Sequence, residues 1–135
     1  MKYSDELQNV VLAEDFYGTE DILSKIKSED DSLDYVDFLL KIMELHPNLD
    51  YGVPGPVVHF VERYFQKGYE ELLLSSVSSK PTVHTLWMLN RVINSPLLPD
   101  RDKYFSALRN VSEDESVSAD VREEAKRYLA YQEQE

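Results

Sequence analysis

The chain has no cysteine, which excludes a disulfide framework, a thiolate metal site and a cysteine nucleophile, and suits a reducing compartment. Glycine is scarce, at 4 of 135 residues, and none of it forms a phosphate-cradling loop. No nucleophile elbow and no HExxH motif is present. No apolar run approaches the length of a membrane span, and the acidic opening MKYSDELQNV has no signal-like apolar core. The expectation is a cytoplasmic protein. Basic residues are also few, 14 against 26 acids for a net charge of −12. That balance argues against nucleic acid, whose phosphates it would repel, and suits either solubility or a basic partner.

What is present is helical pattern. No segment alternates with period two, so no strands are expected. A length of 135 residues suits a single domain, 1–135, with a real core. Apolar segments recur about every fifteen residues between short links. The expected class is all-α with about eight helices. Two architectures fit: antiparallel hairpins stacked in a HEAT-like manner, or a closed orthogonal bundle.

The densest stretch is GVPGPVVHFVERYFQKGYEELLLSSVSSKPTVHTLWMLNRVIN, Gly52 to Asn94. Pro56 suits a first helical turn, and Gly68 suits a helix stop. Tyr69 to Val77 restarts the pattern, with Glu70 and Glu71 in its first turn as helix-start charge or solvated surface. Pro81 to Asn94 forms a third helix with a core stripe of Val83, Leu86, Leu89, Val92 and Ile93. His84, Trp87, Arg91 and Asn94 form a ridge beside that stripe. Trp and Arg are the types enriched at interface hot spots. The plainer explanation is that Trp87 fills the core while Arg91 is a solvated charge, and Arg91 is expected to be the more exposed.

Upstream, Ser4-Asp5-Glu6 caps a first helix that fades near Asp15. Tyr17-Gly18-Thr19 reads as a break, after which Thr19-Glu20-Asp21 caps a short helix. Ser32 opens a helix that is apolar on two sides. Downstream, Pro99-Asp100 begins a helix, Ser112–Ser116 reads as a loop, and Ser118 to Val121 opens the last helix. Gln132 to Glu135 is expected to fray.

Charge is uneven along the chain. Residues 1–50 hold 13 acids against 4 lysines, a net −9; residues 51–110 carry +2 and residues 111–135 carry −5. Asp30, Asp31, Asp34 and Asp37 are the candidate partner-facing acids, with a solvated surface as the alternative for each. His46, His59 and His84 lie in different segments. His59 and Glu62 share a helix face at metal-ligand spacing but lack a third ligand, so no metal and no cofactor is expected. Adjacent acids such as Asp30-Asp31 diverge on a helix, and no catalytic site is expected.

With these segments in view, GVPGPVVHFVERYF, KGYEELLLSSVSSKPTVHTLWMLNRVIN and the acidic flanks resemble small all-helical bacterial immunity proteins of polymorphic toxin and contact-dependent growth inhibition systems. The likeness covers roughly residues 50–95. It implies a cytosolic antidote that binds a cognate toxin domain and blocks its active site. Many such toxins are basic nucleases, which an acidic surface would complement. The residues alone leave open a helical-repeat adaptor or structural subunit that binds another protein. A helical enzyme assembled from dispersed residues is the third alternative.

Overall fold

A computed structural model describes residues 1–134. Among the described residues there are eight helices and no strand, as the periodicity requires. They are α1 (Ser4–Leu12), α2 (Phe16–Glu29), α3 (Asp34–Leu45), α4 (Pro56–Glu62), α5 (Tyr69–Ser79), α6 (Val83–Ile93), α7 (Arg101–Glu113) and α8 (Ala119–Glu133). No helix among them is long and apolar enough to cross a membrane. The chain forms two compact units, Met1–Leu72 and Leu73 onward, with the division inside α5.

In the first unit, α1 packs against α2 and α3, and α2 against α4. Leu7, Leu23, Ile26, Tyr35, Val36, Leu40 and Val58 are buried there. The expected break at Tyr17–Thr19 does not occur. Asp15 caps α2 instead, its carboxylate accepting from the Gly18 N–H at 2.9 Å while Thr19 Oγ1 donates to the Asp15 carbonyl at 2.7 Å. The Gly18 N–H, one of the amides that a helix start leaves without an intrahelical acceptor, is thereby bonded, and Gly18 stays inside the helix. A Cβ on Gly18 would collide with the Asp15 carboxylate. Gly68 has φ +112 between α4 and α5, a backbone that favours glycine, and it closes against Leu33.

The same turn corrects the reading of Glu70. Instead of a solvated first-turn charge, Glu70 is buried, and both carboxylate oxygens accept the Gln66 N–H, at 2.8 and 2.9 Å. Gln66 itself is left-handed (φ 64), which aims its amide at that carboxylate instead of into a continuing helix.

In the second unit, α7 packs on α8, and α6 contacts both. A capping box sets the start of α6: Thr82 Oγ1 accepts from Thr85 N at 3.0 Å, and Thr85 Oγ1 accepts from Thr82 N at 3.1 Å. This phases the helix so that Thr85, Leu86, Met88, Leu89, Val92 and Ile93 are buried. Val83, expected in the core stripe, is exposed, because it shares the outer face with Trp87 and Asn94. The helix α7 also runs beyond its expected end into the Ser112–Ser116 segment, where Ser112 is buried and its hydroxyl donates to the Arg109 carbonyl at 2.7 Å. Of the expected frayed tail, Gln132 and Glu133 are helical, and Glu135 lies outside the described residues.

Candidate partner-binding surfaces

The first candidate set, Asp30, Asp31, Asp34 and Asp37, divides into two kinds of residue. Asp30 ends α2, and its Oδ2 accepts from the Lys2 N–H at 2.7 Å and from the Tyr35 hydroxyl at 2.5 Å. The Tyr35 oxygen in turn accepts from Tyr3 N at 2.9 Å. The phenol and the Lys2 amide together hold the Asp30 carboxyl below its ordinary range. Glu29 completes this clip with an ion pair to Lys2 at 3.1 Å. Asp30 is therefore occupied in fastening the N-terminal segment to α3.

Asp31 makes a second fastening. It accepts the Tyr64 hydroxyl and, at 3.3 Å, the Arg63 guanidinium. The Tyr64 hydrogen bond, with Arg63 beside it, lowers the Asp31 carboxyl from its ordinary value. Arg63 also lies over the Phe60 and Tyr64 rings, 5.7 and 5.8 Å from their centroids. Asp34 is exposed at the first position of α3, its own N–H donating to Ser32 Oγ at 3.1 Å. Asp37, one turn further on, stands 3.7 Å from Lys41. Asp30 lies just past the end of α2, so of these four only Asp34 and Asp37 lie on α3.

The second set is brought together as its spacing implies. The His84 and Trp87 ring centroids are 5.2 Å apart, and the Arg91 guanidinium stands 5.2 Å from the Trp87 centroid. All three side chains are half-buried. Trp87 is thus neither enclosed in the core nor free of it, and Arg91 is no more exposed in kind: it too is half-buried. Asn94 is exposed, and together with Asn90 it accepts from Gln132 Nε2 of α8, both at 2.7 Å. That clasp seats the end of α8 on the ridge.

His46 and His59 are both exposed and lie apart in sequence. Among the described residues no group of three or more His, Cys, Asp or Glu side chains is placed to hold a metal ion.

One surface escaped the sequence reading. At the corner between α1 and α2, Tyr17 is 90% exposed and Phe16 38%. Glu14, Asp15, Glu20 and Asp21 surround them in sequence, and all four are exposed. The signal lay in the run EDFYGTED, two aromatics between two pairs of acids, but the Tyr-Gly-Thr in its middle reads as a helix break.

No protein-family model matches the chain, and neither a curated protein nor a solved structure shows significant similarity to it.

Proposed function

We propose that this protein is a cytosolic immunity protein that binds a cognate toxin domain and blocks its active site. The observation that carries the reading is where the charge lies. The first unit, residues 1–72, holds 16 acids against 6 bases, a net −10 of the chain's −12. Some of these acids are occupied internally, as Glu14, Asp15, Asp30 and Asp31 are, yet Glu20 and Asp21 on α2 and Asp34 on α3 remain exposed. A field of one sign on a rigid helical surface steers a basic partner and disfavours nucleic acid. A toxin whose cleft is built for phosphates is such a partner.

The Trp87 stack of the second unit supplies what charge alone lacks. A half-buried indole and a guanidinium held in register offer area and direction at small entropic cost to binding.

Co-expression provides the test. The neighbouring gene is expected to encode a toxin domain that arrests growth when produced in a susceptible bacterium. Adding this chain should restore growth and yield a stoichiometric complex. Persistent arrest, or a stable complex with a protein that is not a toxin, would contradict the proposal.

A further inference from the structure

We infer that the α1–α2 corner, the exposed Phe16 and Tyr17 within their acidic rim, is the docking surface for an arginine-bearing basic segment of a partner protein. The inference rests on the proposed function only in taking the partner to be a basic protein. Phe16 and Tyr17 open α2, and Tyr17 is 90% exposed. Glu20 and Asp21 follow Tyr17 by three and four residues, which places them beside it on the helix surface. The first cation along α2 is Lys25, a full turn past Asp21.

The corner is fixed rather than loose. Glu14 takes a left-handed backbone (φ 56), a conformation that costs energy for a non-glycine residue and persists only where its surroundings impose it. Its Oε2 accepts the Asp50 N–H at 2.7 Å, tying the loop after α3 to the corner. Glu14, Phe16, Asp50 and Pro56 then wall one shallow cleft of about 10 Å³. Tyr51 also lines this cleft; burial, with the Glu14 charge adding to it, pushes its phenol up to about 12, and its hydroxyl donates to the His46 carbonyl at 2.6 Å. Val53, 77% exposed, stands on the same loop.

Charge selects the occupant. A guanidinium is attracted by the face of an aromatic ring and by a neighbouring carboxylate, and this corner offers both within one helical turn. A second copy of the chain would bring the same acids face to face, and nucleic acid would bring more negative charge. An arginine-presenting protein surface meets neither obstacle.

An amide NMR titration of the full chain with octa-arginine tests the assignment. Shifts are expected to centre on residues 14–21 and 50–56. Tyr17→Ala should weaken binding about two- to fivefold while Tyr17→Phe retains it, as loss of one cation–ring contact implies. A double reversal, Glu20→Lys with Asp21→Lys, should weaken it further with an unchanged circular dichroism spectrum. Shifts that are absent, centred on Asp34 and Asp37, or spread over every acidic helix would overturn the assignment. So would shifts that follow the chain's own concentration without peptide, which would mark self-association. Toxin neutralisation with the titration centred elsewhere would remove this surface and leave the proposed function standing. A titration centred on the corner with no toxin neutralised would do the reverse.

Discussion

The guanidinium of Arg91 lies 5.2 Å from the centroid of the Trp87 ring, one helical turn along the outer face of α6. The pair has two duties, because Trp87 is half-buried and still bears a cation on its ring. Trp87→Ala should therefore cost about 1–3 kcal/mol of stability, between a surface change and the emptying of an enclosed site. Denaturant midpoints give the number. A loss near zero would make the ring a surface feature, and one above about 4 kcal/mol would make it core.

The face opposite that pair behaves differently. Leu89 is fully buried, and Leu89→Ala is expected to cost about 2–5 kcal/mol. Val83, 39% exposed on the ridge side, should tolerate Val83→Ala within about 0.5 kcal/mol. Equal losses at the two positions would mean that the phase set by the Thr82–Thr85 capping box is wrong.

Glu70 tests the turn between α4 and α5. Its buried carboxylate takes the Gln66 amide at 2.8 Å, so Glu70→Ala should cost about 1–3 kcal/mol by leaving that donor unpaired. Glu71, exposed beside it, serves as the control. A change at Glu70 no larger than at Glu71 would refute the capping role.

Asp31 and Tyr64 carry a pH signature. The Tyr64 phenol holds the Asp31 carboxyl below its ordinary 3.8, so this contribution to stability is present above about pH 4 and is lost as pH falls through the lowered value. Burial first, and then Asp31, push Tyr64 from 10.0 up to about 12. Its contribution is whole below pH 10 and is lost as pH rises toward 12. Tyr64→Phe removes both effects, so its melting temperature should fall less than the wild type's between about pH 10 and 12. Tyr35 and Tyr51, whose phenols are also raised, titrate in both proteins and cancel in the comparison. Parallel alkaline flanks would contradict the pairing.

The class, the number of helices and most of the buried stripes were legible because helical periodicity and proline and glycine punctuation are local signals. Phe60, Tyr69, Leu73, Leu86 and Leu108 are buried as their spacing implies. The misses came from side-chain bonds that spacing does not encode. The Asp15 cap keeps α2 unbroken through Tyr17-Gly18-Thr19, and the Thr82–Thr85 box turns Val83 outward. Asp30 reaches Lys2 and Tyr35, and Asp31 reaches Tyr64, the last across 33 positions of sequence. A carboxylate committed to such a bond looks identical in sequence to one left in water. Of the acids first singled out, only Asp34 and Asp37 lie along the α3 surface, while the exposed aromatics at Phe16 and Tyr17 were hidden inside an apparent turn.

The central claim is that the acidic helical surface captures a basic partner. The most direct measurement is the association rate with the cognate toxin domain that the proposed function requires, followed as ionic strength rises. The account predicts a rate that falls about tenfold or more between roughly 0.01 M and 0.15 M salt, with Asp34→Lys and Asp37→Lys together slowing it at low salt. An association rate indifferent to salt and to the double reversal would contradict it.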